Sequence, residues 1–356
     1  MKKCFKAIGI LLGLVILIVI SYLAYVYFSY DRIEDNLSVV PVNENVLESN
    51  VSVGHEYTIL TQNIGFGAYV KDFSFFMDGG KESRARSEEL VLDVFDMACG
   101  TIMPYNPDFA LFQEVDTDST RSCHIDETKL IDDWFEGYSK LFGNNYHSAY
   151  LMYPLYMPHG ASVSGLYTVS RAEITSGLRI QLPVSESFSK LIDLDRAYTK
   201  SRITVDNGKE LIIFNTHMSA YAAGTVRDDQ YSKLLADIQS EYDNGNYCIC
   251  GGDFNADFTG NSVAALNNGL VTDMGWAQPF DDALIGEHVI KCTNYSDGII
   301  LPTCRNCDKP YEDGDFTLIV DGFMITDNVE MTYLENIQTG FEYSDHNPVV
   351  MRFVLK

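Results

Sequence analysis

Short runs of apolar, β-branched and aromatic residues recur along the chain, and residues that favour turns separate them. Such runs are typical of buried β-strands. Two longer stretches, 82–99 and 226–242, instead predict helices; in the first, Leu90, Val94 and Ala98 recur at the three-to-four spacing of a helix face. The predicted strands are 57–61, 109–113, 166–170, 202–205, 211–215, 247–250, 318–325 and 349–354. The pattern therefore predicts many short strands with helices between some of them.

This alternation favours an α/β fold in which helices pack outside one or more sheets. Periodicity alone does not separate a doubly wound sheet from a sandwich of two sheets. The part of the chain after residue 53 has about 300 residues, a size at which one large core is still possible. We therefore expect a single large domain over 54–356.

The first 30 residues have no such alternation. Positions 7–30 carry no charged side chain, and at about 1.5 Å rise per residue they can cross a hydrocarbon core of about 30 Å. Lysines precede this run, whereas acidic residues outnumber the single arginine just after it, which favours a cytoplasmic N-terminus. A cleaved signal peptide is the alternative, but the run is long for one and no clear small-x-small site follows.

These features predict a single-pass protein of the cell membrane with an extracytoplasmic domain. The expected segments are a basic cytoplasmic end at 1–6, a transmembrane anchor at 7–30, a polar tether at 31–53 and the folded domain at 54–356.

Composition and charge narrow the range of partners. Hydrophobic residues make up 46% of the chain, which is ample material for a core. The formal net charge of −25 opposes long-range attraction to nucleic acid and to anionic lipid surfaces, unless a local basic patch or bound cations reverse the field. An acidic site filled by a metal ion is compatible with this charge.

Eight cysteines would allow disulfides in an exported chain, but their spacing does not give the pairing. Cys248 and Cys250 lie two apart in a predicted strand, so both are expected on one face as buried packing residues. A structural zinc site is conceivable near the C-terminus, although a local disulfide or free thiols are preferred there. Its candidate ligands are His288, Cys292, Cys304 and Cys307.

Polar residues that can coordinate a metal or move protons follow one predicted strand after another. Taken singly, each has an ordinary alternative as a turn cap, an ion-pair partner or a buried histidine. The recurrence of carboxylates, amides and imidazoles at strand ends is what indicates an active site. The set comprises Asn63, Gln113, Glu114, Asn215, Thr216, His217, Asp253, Asn255, Asp321, Asp345 and His346.

In this order the motifs resemble the endonuclease/exonuclease/phosphatase superfamily, and G-D-F-N at 252–255 with S-D-H-N-P at 344–348 is the strongest signal. That group includes deoxyribonuclease-I-like nucleases, abasic-site endonucleases, neutral sphingomyelinases and inositol-polyphosphate phosphatases. The resemblance runs from about 57 to 353 and implies a four-layer αββα sandwich, with two packed mixed β-sheets flanked by helices. In this chain we expect one N-terminal transmembrane helix to precede the sandwich. One departure is Gly322 after Asp321, where the superfamily usually has an apolar pair.

The resemblance implies a metal-dependent hydrolase of phosphoesters. Phosphodiesters are its expected substrates. Glu114 is the expected principal ligand of Mg²⁺ or Mn²⁺, because carboxylate oxygens suit these hard cations. Asn63 and Asp345 are expected to complete the coordination, directly or through water.

The resemblance also implies the roles of the remaining polar residues. Asp253 orients or deprotonates the attacking water, and Asn255 hydrogen-bonds a phosphoryl oxygen. His346 contacts the phosphate or transfers a proton, with Asp321 holding its ring. His217 is a second imidazole, expected to protonate the leaving group; which imidazole performs which step stays open.

Three substrate classes also stay open. The chain could cleave a lipid headgroup, act on nucleic acid as an exported nuclease, or hydrolyse a phosphomonoester. The anchor and the apolar, aromatic segment 150–159 favour lipid if that segment enters the interface instead of packing as core. A non-catalytic binding module that keeps the fold is the alternative of another class, and we expect a monomer. The cations available for nucleic-acid phosphates are Arg84, Arg86, Lys200, Arg202 and Arg305.

Overall fold

The computed structural model describes residues 2–29, 31–184, 195–220, 226–269 and 278–356. The α-helices described are α1 (Lys2–Ser29), α2 (Glu88–Ile102), α3 (Glu127–Trp134), α4 (Val226–Asp243) and α5 (Ser262–Leu266). The strands described are β1 (Leu37–Val39), β2 (Glu56–Asn63), β3 (Phe109–Asp116), β4 (Ser139–Leu151), β5 (Gly160–Ser170), β6 (Ile174–Gln181), β7 (Ala197–Thr204), β8 (Glu210–His217), β9 (Tyr247–Asp253), β10 (Val289–Lys291), β11 (Cys304–Arg305), β12 (Thr317–Leu318), β13 (Asp321–Thr326), β14 (Val329–Asn336) and β15 (Val349–Leu355).

Most of these strands form two mixed sheets. One has the order β1-β6-β7-β8-β9-β13-β10, and the other has the order β14-β15-β2-β3-β5-β4. Each contains one parallel pair at its centre, β8 with β9 in the first and β2 with β3 in the second; the neighbouring pairings are antiparallel. The two short strands β11 and β12 form a separate ribbon.

The alternation of side chains along the strands divides the core into layers. Ile59 of β2 and Ile213 of β8 belong to the cluster between the two sheets. Leu60 instead packs with α2 on the outer face of the six-stranded sheet, and Phe214 packs with α4 on the outer face of the seven-stranded sheet. The predicted four-layer sandwich is therefore confirmed, and the open doubly wound sheet is excluded.

Two predicted elements have different bounds in the structure. The helix predicted from residue 82 begins at Glu88, because the Ser87 hydroxyl caps it by accepting a hydrogen bond from the Leu90 N–H. The single strand predicted over 318–325 is divided into β12 and β13. Leu318 pairs with Cys304 in the ribbon, whereas Asp321 pairs with Asp253 in the large sheet.

The segment 31–53, predicted as a polar tether, lies along the domain. Its strand β1 pairs with the edge strand β6, and Val42 and Val51 form bridges to Lys140 and Val205. Before it, α1 is the one described helix that is long and apolar enough to cross a membrane, a criterion that a signal sequence also meets.

Candidate active site

The parallel strand pairs bring the predicted polar residues to one edge of the sandwich. Asn63 at the end of β2 is in register with Gln113 of β3. In the other sheet, His217 at the end of β8 is in register with Asp253 of β9, and Asp253 is in register with Asp321 of β13. Three neighbouring strands of one sheet therefore deliver an imidazole and two carboxylates side by side.

Asp253 is the centre of this arrangement. Its Oδ2 accepts a hydrogen bond from Asn63 Nδ2 at 3.1 Å and lies 3.4 Å from His217 Nε2 and 3.8 Å from His346 Nε2. Its Oδ1 accepts the Asn255 backbone N–H at 2.8 Å. Burial raises the pKa of Asp253 to about 7, although the nearby His346 ring opposes that rise.

Backbone geometry places Asp253. The preceding Gly252 has φ +146°, and a Cβ there would lie 2.0 Å from the Thr216 carbonyl oxygen of β8. The chain can pass this close to β8 only without a side chain. Asn255 follows with φ 49° in the left-handed region, and its Nδ2 donates to the Met218 carbonyl. The G-D-F-N motif is thus a turn that fixes the carboxylate against two strands.

His346 and Asp321 form a buried hydrogen-bonded pair, with Nδ1 2.8 Å from Oδ2. Burial disfavours the charged ring, but the Asp321 carboxylate outweighs it and raises the pKa of His346 well above its usual value. The departure at Gly322 has a packing reason, because a Cβ there would lie 2.6 Å from the Phe258 ring. The predicted pairing of Asp321 with His346 is therefore present despite that departure.

The S-D-H-N-P loop is attached to both sides of the site. The Ser344 hydroxyl donates to the Asn63 carbonyl at 2.9 Å and accepts the His346 N–H at 3.1 Å. The Asn347 N–H donates to the Thr303 carbonyl at 2.7 Å. These bonds explain why His346, distant in sequence, reaches Asp253.

Glu114 lies where β3 departs from regular pairing with β5. The register shifts between Phe112 and Val115, and Glu114 has φ 57°, so the irregularity turns its side chain into the cleft. Its Oε1 lies 3.4 Å from Asn63 Nδ2, and its Oε2 lies 3.6 Å from the Arg121 guanidinium. Asn63 therefore joins Glu114 to Asp253.

The donors present fit a divalent cation. Burial raises the pKa of Glu114, and the charge of Asp345 raises it further while Arg121 opposes this. A bound cation would stabilise the ionised form of a carboxylate that is buried in this way. Oxygen donors suit Mg²⁺ or Mn²⁺, and Glu114, Asp345 and Asn63 all line the cleft.

A second set of possible ligands lies beside the first. Atoms of Asp253, Asp321 and His346 come within 4.8 Å of one another. Two of its members are already joined by a hydrogen bond, with His346 Nδ1 2.8 Å from Asp321 Oδ2. We therefore interpret this group as an oriented imidazole next to a carboxylate.

His217 differs electrostatically from His346. It is buried, and burial lowers its pKa well below the usual value, with Arg196 and His346 adding to the effect. The two imidazoles therefore hold different protonation states near neutral pH: His346 is charged and His217 is neutral.

The neighbouring motif residues Gln113 and Asn215 have a structural role. Gln113 Nε2 donates to Asn215 Oδ1 at 2.8 Å, and Asn215 Nδ2 donates to the Phe112 carbonyl. The side chains of Gln113 and Asn215 are both fully buried. They hold the two sheets in register below the site.

Sequence reasoning missed several residues that contact the site. Arg121, which also forms a two-bond pair with Asp116, lies beside Glu114. Cys304 Sγ is 3.7 Å from His346 Nε2, and Cys307 Sγ is 3.4 Å from Asp345 Oδ2. The only signal in the sequence was the C-x-x-C, which suggested zinc or a disulfide instead.

The zinc site does not form, and the cysteines have free thiols. His288 pairs with Asp327 at 2.8 Å, and the Cys292 thiol lies against the Met351 sulfur. Neither is a neighbour of the C-x-x-C. Cys248 and Cys250 are both buried in the layer below α4, as predicted.

Most cations considered for nucleic-acid phosphates are engaged elsewhere. Arg86 pairs with Asp72 and Glu82. Lys200 and Arg202 both pair with Glu241 under α4. Arg305 is buried, and its guanidinium donates to the backbone carbonyls of Val70, Phe73 and Asn306. These ion pairs hold the fold together and leave little charge for a nucleic-acid backbone.

A cleft of about 760 Å³ opens over the site. Seven of the eight predicted site residues line it, and Asp321 lies behind His346. The other end of the cleft is lined by apolar and aromatic side chains. The residues at the polar end are Asn63, Glu114, His217, Asp253, Asn255, Asp345 and His346, and those at the apolar end are Tyr22, Phe75, Phe76, Met77, Leu151 and Tyr153.

Solved structures share this architecture. An endonuclease/exonuclease/phosphatase from Beutenbergia cavernae is 16% identical with a TM-score of 0.57, and the match covers 84% of this chain and 72% of that one. A family protein from Leptotrichia buccalis is 17% identical with a TM-score of 0.52, covering 83% of this chain and 99% of that one. ANGEL2, described as a 2′,3′-cyclic phosphatase, is 12% identical with a TM-score of 0.53, covering 89% and 98%.

No protein-family model matches the chain, and no curated protein matches its sequence. The chain has the endonuclease/exonuclease/phosphatase fold, so the resemblance carried by the sequence motifs is confirmed at the level of architecture. At these identities the likeness establishes the fold, and the chemistry must be argued from the site itself.

Proposed function

We propose that this chain is a divalent-metal-dependent hydrolase of phosphoesters, with phosphodiesters as its preferred substrates, that acts outside the cytoplasm. One observation carries the proposal: Asp253 lies within 3.8 Å of Asn63, His217 and His346, in the same cleft as Glu114 and Asp345. ANGEL2, a 2′,3′-cyclic phosphatase of similar fold, is compatible with it.

The electrostatics support a proposed role for each side chain. Asp253, with its pKa raised to about 7 by burial, can orient the attacking water and take its proton near neutral pH. His346 is charged and would bind a phosphoryl oxygen, with Asp321 holding its ring. His217, which is neutral, would donate one N–H to the ester oxygen that leaves, and Asn255 would contact the phosphate through its second amide N–H.

The proposed metal ligands are Glu114, Asp345 and Asn63. Mg²⁺ or Mn²⁺ held there would neutralise phosphate charge and stabilise the charge that develops on the leaving oxygen. The proposed partners are a phosphoester substrate and the membrane, which residues 7–30 would cross as an anchor with 1–6 in the cytoplasm; we expect a monomer.

The test is metal-stimulated turnover of a generic phosphodiester. The full chain in detergent is assayed on bis(4-nitrophenyl) phosphate with Mg²⁺, with Mn²⁺ and after chelation. We expect turnover to need the added metal and to return when the metal is restored. Glu114→Gln should raise the metal concentration needed for half-maximal rate, whereas the control Glu89→Gln, at an exposed position of α2, should not.

Unchanged turnover in chelator would refute the metal dependence. A complete lack of turnover on phosphodiesters and phosphomonoesters with either metal would instead support the non-catalytic binding module, because that module would keep the fold without the chemistry.

A further inference from the structure

The apolar end of the cleft is built partly from the N-terminal helix. Tyr22 of α1 lines the cleft. Its hydroxyl donates to the Tyr150 carbonyl at 3.2 Å and accepts the Met152 N–H at 3.1 Å, and the Tyr25 hydroxyl accepts the Tyr150 N–H at 3.0 Å. The end of β4 is therefore hydrogen-bonded to the apolar helix.

In the proposed membrane orientation of α1, these contacts would lie near the membrane interface. Tyr22 precedes the end of α1 at Ser29 by a distance of about 10 Å, at about 1.5 Å rise per residue. Tyr22, Tyr25 and Tyr27 cluster in this last part of the helix, where aromatic residues occupy the boundary between lipid and water. A segment bonded to Tyr22 and Tyr25 must then reach the same level.

The segment after Tyr150 exposes large apolar side chains. We call residues 150–157 the aromatic loop. Tyr153 is 71% exposed, Leu155 is 80% exposed and Tyr156 is 70% exposed, and Met77 at the cleft rim is 60% exposed. The sequence left open whether this segment packs in the core or enters the membrane interface. For these exposed side chains, packing in the core is wrong. Large exposed apolar groups beside a membrane helix are typical of a surface that enters lipid.

Charge argues against nucleic acid as the occupant. The formal net charge is −25, and the buried cations at the site are engaged, with Arg121 paired to Asp116 and Arg305 bonded to backbone carbonyls. Docking through aromatic and aliphatic groups needs no surface cations, so it suits a zwitterionic lipid surface better than an anionic one.

Resting on the proposed hydrolase function, we propose that the substrate is a phosphoester in the headgroup of a zwitterionic membrane lipid. The aromatic loop docks on the extracytoplasmic leaflet, from which α1 emerges, and the lipid enters the cleft from its apolar end until its phosphate reaches Asp253 and His346. Water cleaves one phosphorus–oxygen ester bond: its oxygen bonds to phosphorus as the bond from phosphorus to the departing oxygen breaks, Asp253 takes up one proton of the water, and one proton is delivered to the departing oxygen to form the alcohol. In the net reaction one hydrogen of the water ends on the alcohol and the other leaves with the phosphate product.

The first test compares two substrates in one preparation. The full chain is reconstituted in phosphatidylcholine vesicles with Mn²⁺, and release of water-soluble headgroup is measured beside turnover of bis(4-nitrophenyl) phosphate and of an oligonucleotide. Leu155→Asp should lower the ratio of headgroup release to soluble-ester turnover about tenfold, the loss expected when a large apolar side chain no longer enters lipid. Leu155 does not line the cleft, so turnover of the soluble ester should be retained.

Leu92→Asp is the matched control, because Leu92 is exposed on α2 and should leave the ratio unchanged. Turnover of the soluble ester or oligonucleotide without headgroup release, or an unchanged ratio in Leu155→Asp, would overturn the lipid substrate and leave the hydrolase intact. No turnover of any ester would count against the proposed function itself.

A second test does not depend on catalysis. The fluorescence of Leu155→Trp, after subtraction of the wild-type signal, should be quenched by brominated phosphatidylcholine, and that of Leu92→Trp should not. Raised salt should leave the quenching unchanged, because the contact is apolar. A lack of quenching at position 155 would show that the aromatic loop lies clear of the leaflet and would overturn the docking.

Discussion

At the scale of single residues, the site works by giving similar side chains different charges. Asp253 is buried next to another carboxylate, Asp321, and that same carboxylate holds the His346 ring. For His217, burial and the nearby charges of Arg196 and His346 dominate. The pKa of Asp253 rises to about 7, the pKa of His346 rises and that of His217 falls. A base, a cation and a neutral donor are thereby available together near neutral pH.

Replacing either central residue by alanine should stop the chemistry. We expect Asp253→Ala and His346→Ala each to lower turnover by about 1,000-fold or more, with little change in thermal stability. For Asp253, the loss of its hydrogen bonds is offset because burial disfavours its charged form. Asp93→Ala, at an exposed position of α2, is the control. Wild-type turnover in either variant would exclude that residue from the mechanism.

Asp321 acts through His346 and not on the substrate, so its test is a pH profile. In Asp321→Asn the pKa of His346 should fall, because the carboxylate that raises it is gone while the burial that lowers it remains. If turnover needs the charged His346 imidazole, the alkaline pH at which turnover is lost should be lower in this variant than in the wild type. A lowered rate with an unmoved profile would indicate a merely structural role.

At the scale of elements, close contact between β8 and β9 brings His217 and Asp253 together. Gly252 has φ +146° and no room for a Cβ beside the Thr216 carbonyl. The same strand pairing aligns His217, Asp253 and Asp321 across three strands. The geometry of the site is thus a property of the sheet, more than of the loops above it.

Gly252→Ala should therefore damage both stability and activity. The new Cβ must push β8 and β9 apart, in addition to a backbone strain of about 1–3 kcal/mol. Gly208→Ala is a suitable control, since Gly208 also has a positive φ of +81° but nothing lies near its Cβ position. Thermal unfolding of the two variants would measure the difference, and equal melting temperatures would refute the steric argument.

At the scale of the whole molecule, buried ion pairs join the outer helices to the sheets. Glu241 of α4 accepts hydrogen bonds from Lys200, Arg202 and Asn246. Burial raises the pKa of Glu241, but these bonds outweigh it and lower the pKa below the usual value. Lys200 and Arg202 therefore stabilise the packing of α4 on the sheet, whereas an enzyme that binds nucleic acid would keep such cations on its surface.

Glu241→Gln should reduce the free energy of unfolding by about 1–2 kcal/mol, because Lys200 and Arg202 each lose one of two carboxylate partners and keep Asp237 and Glu210. A carboxyl group with a lowered pKa stabilises the fold above its unfolded pKa, and that stabilisation is lost as pH falls through the folded pKa. The difference in melting temperature from wild type should therefore shrink in acid. Glu136→Gln, at an exposed position, serves as the control; a pH-independent difference would contradict the ionic origin.

Much of the architecture and the site was predictable from local pattern. Apolar strands that end in Asn63, Glu114, His217 and Asp253 are visible in the sequence, because one short segment contains both the strand and the polar residue that follows it. The order of the motifs then indicated the four-layer fold, and the burial of Cys248 with Cys250 followed from the two-residue period of a strand.

Other features depended on contacts between distant segments, which periodicity does not encode. The sequence did not show that 31–53 lies along the sheets, that Arg305 bonds to backbone carbonyls, or that Cys304 touches His346. It also left the charges of the two imidazoles open. A pKa depends on burial and on neighbouring charges, and only the packing of both sheets determines which carboxylate lies beside which ring.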